Sequence, residues 1–81
     1  MNKLPVLVFL RVDNDSLDDA RAYQTLAGAK RAFRIVAGEL ARYGQACSAT
    51  VHIAPRPADL VEYPDYVLML GPRGGLQVER A

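Results

Sequence analysis

The sequence predicts an α+β fold, in which a mostly antiparallel sheet of four or five strands carries one amphipathic helix on one face. Two observations lead to this prediction. Short runs of apolar and β-branched residues, separated by Gly and Pro, recur along the chain and are typical of strands. Between them, residues 25–43 repeat apolar side chains at the helical period. The predicted order of elements is β(β)αβββ, in a single domain over residues 1–81.

The first strand is predicted over residues 4–12, which are rich in Val, Leu and Phe. Both of its faces are apolar. One face carries Val6, Val8, Leu10 and Val12, and the other carries Leu7 and Phe9. A strand that is apolar on both faces is usually buried on both.

Residues 14–24 allow two interpretations. They could begin a long helix capped by Ser16, or they could form a loop and an edge strand. A helix from Ser16 to Tyr43 would be about 42 Å long, whereas strands of about 7 to 9 residues span only about 23–30 Å. We therefore prefer a hairpin-like return over residues 16–23, followed by a helix with Thr25 as its N-cap.

The helix is predicted over residues 25–43, and Gly44 ends it. The stripe expected to pack on the sheet consists of Leu26, Ala29, Phe33, Val36, Ala37 and Leu40. The solvent side carries Arg31, Arg34 and Arg42, with Gly38 between the last two. Because Gly in a helix costs about 1 kcal/mol relative to Ala, Gly38 marks either a close approach by a partner's backbone or a tolerated weakness.

Three more strands are predicted after the helix. They cover residues 47–53, Tyr66–Leu70 and Leu76–Arg80. The connection between the first two is interrupted by three prolines and is expected to hold one helical turn at 58–61. The GPRGG segment at 71–75 is predicted to be a tight turn with Arg73 exposed at its tip.

One helix cannot cover both faces of a sheet with this many strands. The uncovered face carries either Leu7 and Phe9 or the series that begins with Val6. Because an uncovered apolar face needs another cover, we infer a homodimer or a protein partner, with Leu7 and Phe9 as the dimer face.

Composition limits the class of function. Cys47 is the only cysteine and His52 the only histidine, so the sequence predicts neither a disulfide framework nor a structural metal site, and no cofactor. The single cysteine favours a cytoplasmic location. The apolar start is too short to span a membrane and lacks a cleavage site. The net charge of +1 gives no global attraction to nucleic acid.

The aspartates after the first strand form the most conspicuous polar segment. Asp13 and Asp15 share the Asp-x-Asp pattern of phosphotransferase loops, but that chemistry also needs a distant lysine and further acids on a larger scaffold. A calcium-binding loop that began at Asp13 would need Gly at position 18 and Glu at position 24. The chain has Asp18 and Gln24 there, so the calcium-loop pattern is not met. We therefore interpret the aspartates as a solvated turn, and no metal-binding residue is predicted.

No catalytic residue is predicted, and the chain is expected not to be an enzyme. His52 shares a strand face with Ser48 and Thr50, but nothing in the sequence assembles them into a triad, so a structural or surface histidine is expected. Cys47 is expected to be a small core residue. The GPRGG segment lacks the spacing and the lysine of a P-loop. An enzyme acting through His52 or through Asp13 and Asp15 is the hypothesis that we rank last, after the two binding functions given below.

The best candidate for a binding patch is the set of arginines. Arg31, Arg34 and Arg42 on the helix, with Arg73 on the turn, could bind phosphates or an acidic protein surface. Tyr63 and Tyr66 lie beside acidic residues, which favours a protein interface with these rings as anchors. Nucleic-acid binding would instead call for aromatic residues interleaved with the basic residues.

The segment TLAGAKRAF, which follows a strand and a short acidic stretch, resembles the helix start of many small phage and prophage accessory proteins. Some anti-CRISPR proteins are similar in size and element order. The resemblance implies a stoichiometric binder in the cytoplasm and carries no site residues. We therefore expect a small non-enzymatic interaction protein, derived from a phage or mobile element, that binds and modulates another macromolecule. The alternative is a nucleic-acid-binding accessory module that uses the basic helix face.

Overall fold

The structure is a computed structural model that describes residues 6–12, 16–71 and 75–81. In chain order the elements are β1 (Leu7–Val12), a first 3-10 helix (Leu17–Asp19), β2 (Arg21–Tyr23), α1 (Leu26–Ala41), β3 (Cys47–Ala54), a second 3-10 helix (Pro57–Asp59), β4 (Tyr66–Leu70) and β5 (Leu76–Arg80). The strands form one antiparallel sheet in the order β2-β1-β3-β4-β5. The predicted class and element order are confirmed. Asp13, Asp15 and Arg73 lie outside the described residues.

The segment before α1 is a return strand, as the length argument predicts. Ser16 caps the first 3-10 helix by accepting a hydrogen bond from the backbone N–H of Asp18 at 3.3 Å. β2 then pairs antiparallel with β1, with Tyr23 opposite Val8. Thr25 is the N-cap of α1, and its Oγ1 accepts a hydrogen bond from the N–H of Gly28 at 3.0 Å. The alternative of one long helix is wrong.

The core lies between α1 and the middle strands of the sheet. Ala29, Phe33 and Ala37 are completely buried, and they pack with Val51 and Leu68 from the sheet. The predicted stripe is therefore correct along its centre. Val36 is the exception because it is 47% exposed. It lies on the side of α1 that faces β2, where the sheet ends.

The face of the sheet opposite α1 is covered near β1 by the chain's own connections. Phe9 is only 2% exposed, and Leu7 is half-buried. A groove of about 360 Å³ over this face is lined by Phe9 and by residues in and beside the two 3-10 helices: Leu17, Asp18, Ala20, Pro57, Ala58 and Leu60. The expectation that Phe9 forms an uncovered dimer face is therefore wrong, because segments without a regular period fold back over it.

Toward β5 the same face is exposed and largely polar. Ser48 of β3, together with Gln77 and Glu79 of β5, is exposed to solvent there. Met69 is the most exposed apolar side chain of β4, at 38%. This half of the face has little apolar surface that a second molecule would need to cover.

Asp65 fixes the end of the connection between β3 and β4. Its N–H donates to the carbonyl of Val51 at 2.7 Å, and its Oδ2 accepts from the N–H of Ile53 at 2.7 Å. Its own carbonyl accepts from the N–H of Ala81 at 3.1 Å. One residue therefore joins β3 to the residue that follows β5.

Two glycines of the helical region should respond to alanine in opposite directions. A Cβ at Gly38 would meet nothing within 4 Å, so Gly38→Ala should raise the free energy of unfolding by about 1 kcal/mol. Gly44 has φ of 73°, so Gly44→Ala should lower it by about 1 kcal/mol. Urea unfolding followed by circular dichroism measures both changes. A destabilised Gly38→Ala variant would contradict the open surface at this position.

Candidate binding surface

Helix α1 presents two different flanks on either side of its buried stripe. Ala32, Ile35 and Val36 face β2, because they line a groove together with residues of β1 and β2. At 100° per residue, Lys30 and Arg34 project to the opposite side, which lies toward β4 and β5, whereas Arg31 and Arg42 project from the crest of the helix, away from the sheet. We call the surface made by Lys30, Arg31, Arg34 and Arg42 the basic flank.

The arginines of the basic flank are exposed and form no ion pair with any of the described residues. Arg31, Arg34 and Arg42 are all exposed, as predicted. Across residues 6–12, 16–71 and 75–81, the ion pairs join Arg11 to Glu62 and Arg56 to Asp59. Glu39 is the one carboxylate within α1, and it lies three residues before Arg42. Arg31 and Arg34 therefore have no acidic neighbour three or four residues away on the helix. Gly38 lies between Arg34 and Arg42 and leaves open space beside the helix backbone.

A fourth arginine extends this surface onto the sheet. In β5, Val78 pairs with Leu68 and Arg80 pairs with Tyr66, which places both on the α1 side of the sheet. Val78 is 39% exposed because α1 does not cover this strand. Arg80 was missing from the candidate residues, although the alternation of β5 already places it on the same face as Leu76 and Val78.

The two tyrosines predicted as anchors have different environments. Tyr63 is 84% exposed in the connection before β4. Tyr66 is half-buried and packs against the core on the α1 side. Tyr66 therefore contributes mainly to the packing under α1, and Tyr63 is the ring with a free surface.

His52 is one end of a series of hydrogen-bonded side chains on the sheet face opposite α1. We call this series, which consists of His52, Thr50, Arg11 and Glu62, the polar chain. His52 is 2% exposed, and its Nε2 is hydrogen-bonded to Oγ1 of Thr50 at 2.9 Å. The same hydroxyl oxygen accepts from Nε of Arg11 at 3.2 Å. Nη1 of Arg11 in turn donates to Glu62 in the connection, also at 3.2 Å. The polar chain thus ties the connection to β1 and β3, and the buried imidazole of His52 is one of its members.

The geometry around His52 differs from that of a catalytic triad. In a triad, a carboxylate orients the imidazole from the nitrogen that does not face the nucleophile. Nδ1 of His52 has no hydrogen-bond partner among the described residues, and Glu62 contacts Arg11 instead. The part of the chain that the structure describes also brings together no group of three His, Cys, Asp or Glu suited to a metal ion. Cys47 is buried at 6% exposure, in agreement with its prediction as a core residue.

The contribution of the polar chain can be measured by removing its shared hydroxyl. Thr50→Val keeps the shape and the β-propensity but leaves Arg11 and the buried His52 without their common partner. We expect the free energy of unfolding to fall by about 1–2 kcal/mol. Ser48→Ala, on the same strand and face but exposed, should change it by less than about 0.5 kcal/mol. If Thr50→Val and the parent protein had the same free energy of unfolding, the polar chain would be dispensable for stability.

Comparisons of the chain with models of protein families, with curated proteins and with solved structures each find no match. Among the residues that the structure describes, no helix is both long enough and apolar enough to cross a membrane.

Proposed function

We propose that this chain is a small non-enzymatic interaction protein of the cytoplasm whose basic flank binds an acidic surface on another protein. The observation that carries the proposal is a set of three exposed arginines, two on α1 and one at its C-cap, that form no ion pair with the described residues. The resemblance to phage and prophage accessory proteins, anti-CRISPR proteins among them, fits a stoichiometric binder that modulates its target.

The spacing of the arginines suits a partner that lies along the helix. Arg31 and Arg34 are neighbours on the helix surface because they are three residues apart. Arg42 follows Arg34 by about 12 Å along the axis at 1.5 Å per residue. Between them, Gly38 lets a partner's backbone approach α1 closely. Guanidinium groups in this arrangement can each donate two parallel hydrogen bonds to a carboxylate.

The free edge of β5 adds to the same surface. β5 is the last strand of the sheet, so its outer backbone groups have no neighbouring strand among the described residues. A partner segment beside β5 would meet these groups, the exposed Val78 and the charge of Arg80. Backbone pairing would provide affinity there, and the arginines would select for acidic side chains.

Two observations favour a protein over a nucleic acid as the partner. The chain has a net charge of only +1, so a phosphate backbone gains little long-range attraction. Tyr66, on the α1 side of the sheet, is packed against the core, so its ring offers no free stacking platform. A nucleic-acid-binding module using the basic flank remains the alternative.

Charge reversal on the basic flank tests the proposal. We expect Arg34→Glu to weaken binding of a labelled glutamate-rich peptide by about tenfold, which corresponds to about 1.4 kcal/mol. Reversal of Arg31, Arg34 and Arg42 together should abolish it. The matched control is Arg56→Glu, because Arg56 lies outside the basic flank and is already hydrogen-bonded to Asp59, which raises the pKa of its guanidinium. Fluorescence anisotropy measures binding, and circular dichroism verifies the helix.

The same titrations with a generic DNA duplex separate the two functions. Binding of the peptide that survives the triple reversal would remove the basic flank from the function. Tight binding of the duplex would establish the alternative. For three phosphate contacts, the logarithm of the association constant should then fall with the logarithm of the salt concentration at a slope of about −3. A protein-binding surface predicts no measurable affinity for the duplex at physiological salt.

A further inference from the structure

The flank of α1 that faces β2 exposes apolar side chains beside an open groove. We call this the edge groove; its volume is about 410 Å³. Its walls are Leu10, Val12 and Tyr23 from the sheet and Ala32, Ile35 and Val36 from α1. Ile35 is 68% exposed and Val36 is 47% exposed. Adjacent exposed aliphatic side chains next to a concave apolar surface are typical of an interface.

The described part of the chain leaves the edge groove uncovered. β2 is the terminal strand on this side of the sheet and has only three residues. The connections that bury Phe9 lie over the opposite face of the sheet. The edge groove is therefore apolar and uncovered, which are the two properties that we expected of the sheet face with Leu7 and Phe9.

The edge groove has an exposed apolar side chain beside an apolar hollow, and an acid beside a base. Ile35 is a protruding apolar side chain on the rim of the apolar hollow. Asp19 and Arg21 also line the groove, so one rim carries an acid and a base two residues apart. A two-fold axis beside Ala20 would place Asp19 of each copy near Arg21 of the other. Ile35 of each copy would then enter the hollow of the other.

We propose that a second copy of this chain occupies the edge groove and forms an isologous dimer. A two-fold dimer requires one surface to complement itself, and this surface offers an exposed apolar side chain with an apolar hollow and an acid with a base. A uniformly acidic or basic partner would be repelled by either Asp19 or Arg21. The dimer uses the β2 side of α1, whereas Arg34 projects toward β4 and β5, so the dimer does not depend on the proposed function and leaves Arg34 of both copies free.

The molar mass of the full chain in solution tests the dimer. Sedimentation equilibrium should give twice the 8.9 kDa of one chain. Ile35→Glu should raise the dimer dissociation constant at least tenfold while the circular dichroism spectrum stays unchanged, because the side chain is exposed in the single copy. The matched control is Val61→Glu, which adds the same charge at an aliphatic residue that is 59% exposed on the connection. This variant should keep the parent mass.

Exchange of the two rim charges tests the geometry without changing apolar surface. Asp19→Arg and Arg21→Asp should each raise the dissociation constant at least tenfold, and the double variant should restore the parent value. A mass of one chain at millimolar concentration would overturn the proposal. So would a dimer that Ile35→Glu leaves intact and Val78→Glu dissociates, because such a dimer would use the edge of β5. Single charge variants without effect on the dimer would also reject this arrangement.

Discussion

The constraint on which the rest of the structure depends is the width of a five-stranded sheet relative to one helix. Five strands span about 19 Å between the outer strand axes, whereas a helix with its side chains is about 10–12 Å wide. α1 therefore buries the middle of the sheet, where Phe33 meets Val51 and Leu68, and leaves both sides open. Lys30 and Arg34 of the basic flank lie beside the open strip at β5, and the edge groove lies in the open strip at β2.

The opposite face meets the same constraint without a second helix. Two short 3-10 helices lie over Phe9. The polar chain, from Glu62 through Arg11 and Thr50 to His52, holds the connection between β3 and β4 in place. A buried imidazole in this position is stabilised by a hydrogen bond to its own strand. Polar contacts from irregular segments thus replace a layer of regular secondary structure, which explains how so short a chain covers this part of the sheet.

Periodic features were predictable from the sequence and irregular ones were not. The alternation of β4 and β5, the cap at Thr25 and the exposure of Arg34 follow from spacing alone. The burial of Phe9 depends on prolines and short turns whose path has no period. The exposure of Val36 depends on where α1 lies relative to the edge of the sheet, which the helical pattern does not contain.

Asp65 gives the end of β5 a second attachment to the sheet, in addition to the pairing of β5 with β4. The carbonyl of Asp65 holds the residue after β5, while its amide and carboxylate hold the backbone of β3 at Val51 and Ile53. His52 lies between these two positions. The backbone on both sides of the buried imidazole is therefore hydrogen-bonded to the same residue that holds the end of the outermost strand.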